Sequence, residues 1–241
     1  MKFFILSIFI LLTQQATAAF VLPKNLNASD RLRATEILAL GTAPKILGNP
    51  YPLGGYAGIE LGLSAEFIPT EDLSELGGKS PNKDTFSYNT LMLGKGIHHN
   101  VDTFVYFTPL RQESGIQTYG AQLRWGFYES SYFPFALSMS LYAGGANFSN
   151  LVNASSFGGD LLATVSVDRV AAYIGIGQVR GTAQFIGGSN GITAEGVTVE
   201  HSIMKTHSLL GMSFSLSGFF AAVEINRYED SFYGAKLGYR F

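Results

Sequence analysis

Acids and bases in this chain sit at alternate positions between apolar neighbours. Glu60, Glu66, Asp160 and Glu224 do so, and so do Lys95, Arg124, Lys205, Lys236 and Arg240. Inside a low-dielectric enclosure these signs must nearly balance, because an unpaired buried charge is costly. A balanced set can act as an ion-pair network that holds a wall together, or as a constriction that sorts solutes by charge. Histidine offers less. His98-His99 provides two metal ligands with no Cys or carboxylate nearby, too few for a site. His201 and His207 stand beside Ser202 and Ser208, with Glu195 and Glu200 upstream, which sketches a rim hydrolase without any nucleophile-elbow signature. The glycines follow strand alternation and form no phosphate-binding loop. No cofactor and no metal is expected.

The elements that carry these residues must be strands. From Gly54 onward the chain breaks into segments of about ten residues that are apolar at every second position, the period of a strand. Ile59, Leu61, Leu63, Ala65 and Phe67 alternate with Glu60, Gly62, Ser64 and Glu66. Tyr119 to Phe127, Phe135 to Ala143, Leu161 to Val167, Leu210 to Leu216 and Phe219 to Ile225 repeat the pattern. In 85–97, Phe86, Tyr88 and Met92 compete with Leu91 and Leu93 for the outer face, which predicts a bulge or a mixed interior. Residues 101–109 and 170–183 bring the count to about ten, with eight or twelve as alternatives. A soluble sandwich would show the same period. Here the polar rows are mostly Gly, Ser and isolated charges of both signs, which suits a narrow enclosed lumen.

Composition agrees. The chain has 241 residues, 14% charged, 28 Gly, no Cys and a net charge of −2. This excludes a disulfide-stapled domain, a disordered tail and a basic nucleic-acid binder. Beyond the first twenty residues, no apolar run is long enough for a spanning helix. The amino terminus reads Met1-Lys2, an apolar run from Phe3 to Leu12, then an ending at Ala16-Thr17-Ala18, the pattern of a secretory signal peptide cleaved after Ala18.

The carboxyl terminus is a strand in which Tyr233, Ala235, Leu237, Tyr239 and Phe241 alternate with Gly234, Lys236, Gly238 and Arg240. Signal peptide, absent Cys and terminal aromatic strand together resemble a Gram-negative outer-membrane β-barrel protein, a small single-chain barrel. The resemblance implies residence in the bacterial outer membrane, contact with its lipids and lipopolysaccharide, and reading of Tyr239 and Phe241 by the barrel-assembly machinery. The last nine residues are its specific part, and the alternation extends it over roughly 54 to 241.

The connections supply a further expectation. With both chain ends at the inner side, long outer loops fall near 69–84, 110–115, 148–158, 184–202 and 228–231. Short inner turns fall near 98–101, 129–133, 168–169 and 217–218. Tyr128, Tyr132, Phe133, Tyr239 and Phe241 would form an inner aromatic girdle, and Phe67, Phe148, Tyr228 and Tyr233 an outer one.

Residues 19–53 do not alternate. Ser29-Asp30 followed by Arg31 to Leu40 and Gly41 predicts a short capped helix, with a connector through Pro44, Pro50 and Pro52. It is either a loose periplasmic cap or a plug in the periplasmic mouth, filling volume left by small inward side chains. The expected protein is therefore an all-β antiparallel transmembrane β-barrel of one domain over 54–241. Its function is expected to be that of a structural or surface barrel or a narrow passive channel. A rim hydrolase acting on lipid or surface substrates and adhesion through loops 69–84 and 184–202 are the alternatives.

Overall fold

The computed structural model describes residues 21–80, 85–109 and 115–241; the signal peptide expected over 1–18 and parts of the first two expected outer loops lie outside the described residues. Ten antiparallel strands form a closed barrel. They are β1 (Ile59–Pro69), β2 (Thr85–His98), β3 (Val101–Phe107), β4 (Ile116–Glu129), β5 (Phe135–Phe148), β6 (Val152–Val167), β7 (Val170–Phe185), β8 (Val199–Leu216), β9 (Phe219–Arg227) and β10 (Ser231–Arg240). Each strand pairs with its sequence neighbours. Closure comes from β10 on β1, in register from Glu60 opposite Arg240 to Phe67 opposite Tyr233. Closing the sheet leaves no unpaired edge, which a strand in hydrocarbon cannot tolerate.

The alternation sorts as expected. Leu61, Leu123, Trp125, Leu161, Ile174, Leu210, Phe214 and Val223 point outward and are exposed, while Glu60, Arg124, Asp160, Ser213 and Glu224 point inward and are buried. So continuous an apolar surface is stable only against lipid. In β2 the aromatics win the interior: Phe86, Tyr88 and Met92 are buried and Leu93 is exposed. The register of β2 on β3 slips between Gly96 and His98, a bulge at the turn.

Several expectations need correction. The stretch 148–158 is not a loop; β5 runs to Phe148, β6 starts at Val152, and three residues turn the chain. The next connection is 186–198 and shorter than expected, because β7 and β8 extend into it. Phe148 and Tyr228 do not belong to an outer girdle: Phe148 is fully buried, and Tyr228 stacks on His207 at 4.6 Å between ring centroids. Lys95 does not face the lumen; it lies exposed on the outer face, its Nζ donating to the Tyr56 carbonyl.

The amino-terminal segment differs most. Its helix, α1 (Ala28–Thr35), is capped by Asn27 rather than Ser29. Asn27 Oδ1 accepts from the Asp30 N–H at 3.0 Å, and Asp30 Oδ2 accepts from the Asn27 N–H at 3.2 Å, a reciprocal capping box. One π-helical turn, Glu36–Leu40, follows. Every residue from Ala34 to Gly48 is buried. The helix lies at the end of the barrel carrying the outer loops, opposite the end where β1 begins. Leu26 pairs with Thr193 of the β7–β8 loop, and Gly78 after β1 donates its N–H to Lys24 O at 2.7 Å. From the helix the connector descends through the lumen to Ile59.

Candidate functional site

The lumen is the site, and the amino-terminal segment is its main occupant. At the loop end it is packed through apolar side chains. Ile37, Leu38 and Leu40 join Ile68, Phe148, Val152, Phe185 and Phe232 in one buried cluster. Gly181 makes room for the π-helical turn, since a Cβ there would stand 3.0 Å from Ala39 Cβ. A ring of ion pairs closes above. Arg31 Nη1 lies 2.5 Å from Glu195 Oε2 in the β7–β8 loop, and Arg31 Nε donates to His201 Nε2 at 3.0 Å. Arg33 Nη2 reaches Asp72 Oδ2 at 2.5 Å, in the short helix α2 (Glu71–Glu75), and Asp230 Oδ2 at 2.9 Å. Burial would lower the Arg33 pKa, but its hydrogen bonds to Asp72 and Asp230 outweigh that and raise it. Donation from Arg31 holds the Glu195 carboxyl below the usual carboxylate range.

Beneath that cluster, through mid-barrel and on toward the turn end, the same segment is held by polar contacts. Lys45 Nζ meets Glu66 Oε2 at 2.5 Å, where Tyr88 also donates its hydroxyl at 2.8 Å. Glu224 accepts the Ile46 and Leu47 N–H groups at 3.1 and 2.8 Å, the Tyr173 hydroxyl at 2.7 Å and Asn226 Nδ2 at 2.7 Å. Arg124 donates to Ile46 O at 2.6 Å and to Gln122, and its guanidinium lies 4.0 Å from the Phe104 ring centre. Leu53 N–H donates to Asp102 at 2.9 Å, and Arg240 Nη2 to Asn49 O at 3.2 Å.

The structure therefore brings the inward charges into several groups. Glu60, Lys236 and Arg240 form an ion-pair triad, at 2.6 and 2.7 Å. Glu66 and Glu224 bind the connector, and Arg124 turns to its backbone. Asp160 stands apart with His207, at 3.1 Å, the Tyr142 hydroxyl 3.5 Å away. Lys205 bridges Glu36 and Glu229 near the loop end at 3.1 and 2.5 Å. His98 and His99 stay exposed on the β2–β3 turn beside Tyr56. Ser202 and Ser208 lie on the outer face of β8, whereas His201 and His207 face inward, so neither serine shares a face with its histidine neighbour. Tyr239 and Phe241 stack edge-on at 4.6 Å on the outer turn-end surface, with Phe219 at 4.7 Å from Tyr239.

Sequence reasoning missed Lys45 and Asp102. Asp102 was legible: Val101, Thr103, Val105 and Phe107 alternate around it and point outward. Lys45 had one signal, a lone cation among prolines and aliphatics. Its partner Glu66, 21 residues on, was readable as an inward acid, but no local pattern encodes the pairing of the two.

No protein-family model and no curated protein matches the chain. Among solved structures it is similar to the N-terminal β-barrel domain of Pseudomonas aeruginosa OprF, at 9% identity and TM-score 0.39, covering 78% of this chain and 99% of that one. It is also similar to the Acinetobacter baumannii outer membrane protein Omp33, at 10% identity and TM-score 0.35 over 77% and 98% of the two chains. The KdgM porin in complex with disordered oligogalacturonate matches at 8% identity and TM-score 0.35 over 76% and 99%. With its closed ten-stranded wall and apolar outer band, this chain has the architecture of a small outer-membrane β-barrel protein.

Proposed function

We propose that the protein is a surface barrel of the bacterial outer membrane, kept closed to solutes by its own amino-terminal segment. One observation carries the reading: Ala34 to Gly48 are all buried inside a closed wall, bonded to inward charges on β1, β4 and β9. The working face is then the loop end, where α1, α2 and the 186–198 connection are joined by ion pairs into a cap. This cap is the surface on which the adhesion alternative would rest. The passive-channel alternative draws on the polar contacts of the connector, which water can replace. The hydrolase alternative retains only the buried Asp160–His207 pair.

Planar-bilayer recording tests closure. The full chain is expected to pass no steady current. A shortened chain lacking residues 21–50, checked for folding by heat-modifiable gel migration, is expected to conduct. A steady current through the full chain overturns the reading, and a folded shortened barrel that stays silent removes the segment as the cause of closure.

A further inference from the structure

Within the height that all ten strands share, the wall closes on itself; above it the wall is uneven. β8 runs for 18 residues, whereas β9 and β10 run for 9 and 10. β9 pairs with β8 only from Ser208 opposite Arg227 to Leu216 opposite Phe219. The stretch of β8 from Val199 to His207 therefore has β7 on one side and a notch on the other, floored by the β9–β10 turn. Parity tells which backbone groups face the notch. Ser215 donates its N–H to Arg169 O at 2.8 Å, on the β7 side. Successive residues of a strand turn their N–H and C=O to opposite sides, and the register on β7 runs from Val199 to Phe214 without a slip. Odd-numbered residues of β8 thus serve β7, while Glu200, Ser202, Met204 and Thr206 turn their backbone groups to the notch. Among the described residues no donor or acceptor meets these four N–H and four C=O groups.

We propose that the notch takes an extended basic segment of another polypeptide, added as a strand to the free edge of β8. The inference rests on the membrane placement proposed above, which puts this edge in water on the loop side. An unpaired edge cannot lie in hydrocarbon, and outward Glu200, Ser202 and Thr206 replace the apolar row of Leu210, Met212 and Phe214 below them. Such an edge is a template for pairing with another chain. An antiparallel segment continuing the β9 ladder exchanges hydrogen bonds with all four residues, and its inward side chains rest on Ile203, itself packed against the loop-end cluster. Charge sets the sign of the partner. Arg33 and Lys205 behind the notch are already engaged, with Asp230 and Glu229, and Arg227 at its foot donates to Ser231 Oγ. Glu200 meets no base among the described residues, and the Glu229 side chain is 64% exposed. A second copy of the barrel fits poorly. Barrel strands tilt by about 35–45°, so two β8 edges related by a two-fold axis along the membrane normal would cross rather than lie side by side.

The probe is a labelled nine-residue peptide alternating lysine and valine, its affinity for the refolded full chain read by fluorescence anisotropy. In the antiparallel ladder the lysines lie opposite the outward residues of β8 and exchange hydrogen bonds with them. N-methylation of the lysines should therefore abolish binding, and N-methylation of the valines should leave it intact. Met204→Pro removes an edge donor without costing β7 a hydrogen bond and should weaken binding at least about tenfold. Heat-modifiable migration shows that this variant has folded, and the methylated peptides need no variant. Glutamate in place of lysine should weaken binding about tenfold. Equal binding of the two methylated peptides, or undiminished binding by a folded Met204→Pro barrel, overturns the proposal. Equal binding of the glutamate peptide also overturns it, because the partner is then not selected for positive charge. A dimer of the full chain that Met204→Pro dissolves overturns it too, assigning the edge to a second copy. A barrel that conducts refutes closure yet leaves these outcomes standing, so the two failures are distinguishable.

Discussion

The two halves of the lumen hold the same segment by different physics. At the loop end, Ile37, Leu38 and Leu40 are sealed among Phe148, Phe185 and Phe232, and removing them from that cluster re-exposes apolar surface. From mid-barrel toward the turn end, Lys45, Ile46, Leu47, Asn49 and Leu53 are held mainly through hydrogen bonds and one ion pair, with Ile46 also packed in a small cluster with Leu162, Tyr173 and Leu209. Water can satisfy the same groups, so the net worth of each bond is small beside its gross strength. The comparison teaches that the helix belongs to the core of the barrel, while the connector is a polar strap that can loosen locally. Inward glycines serve both halves. Gly181 admits the helix, and Gly234 admits the connector, since a Cβ there would stand 2.9 Å from Leu47 Cδ2.

Leu38→Ala tests the apolar half and should have the largest effect. Leu38 is 1% exposed and its truncation leaves a cavity in the loop-end cluster. A loss of about 2–5 kcal/mol is expected. Urea unfolding of the refolded barrel in detergent would measure it as a lowered midpoint with unchanged slope. A change below about 1 kcal/mol would mean that the helix is not part of the core.

Glu224→Ala tests the polar half. It leaves two connector N–H groups, the Tyr173 hydroxyl and Asn226 without their acceptor. The expected cost is about 1–3 kcal/mol, softened by entry of water. The contrast lies in where the change appears. Hydrogen exchange at Ile46 and Leu47 should quicken while the amides of the strand ladders keep their protection, a local opening rather than a global one. Equal loss of protection across the wall would erase the distinction between the two halves.

The wall was readable from the sequence and the path of the segment was not, for physical reasons. Period-two alternation reports which face each residue takes, so Glu60, Asp160, Glu224 and Lys236 could be assigned inward from their neighbours alone. The rule misled at Lys95, where Phe86, Tyr88 and Met92 occupy the interior and hydrophobicity no longer marks the outer face. A long side chain near the strand end can carry its ammonium to the membrane boundary. The helix was legible from its composition, but its place at the loop end depends on Arg31 meeting Glu195, 164 residues away. No local pattern encodes that pairing. The Glu224 clamp was hidden for a related reason, because its partners are backbone N–H groups, which carry no residue identity.

Acidification sharpens the comparison at its outermost layer and should have the smallest effect of the three. Glu195 is held below the usual carboxylate range by its hydrogen bonds from Arg31, and Glu229 by those from Lys205. A carboxyl whose folded pKa is lowered contributes stability that is fully present above its unfolded value, about 4.3, and that fades as pH falls through the lowered folded value. Melting of the cap should therefore be flat between about pH 5 and 8 and should decline only below about pH 4. Both carboxylates are exposed, so salt should weaken their part of the decline. Limited proteolysis between 186 and 198 across this range reads the cap directly. Glu195→Gln should bring cleavage on at neutral pH while leaving the ladders and the Leu38 cluster intact, because the ion pairs fasten the lid and the apolar packing holds the helix beneath it. Cleavage that instead tracks global unfolding would show that lid and helix open together.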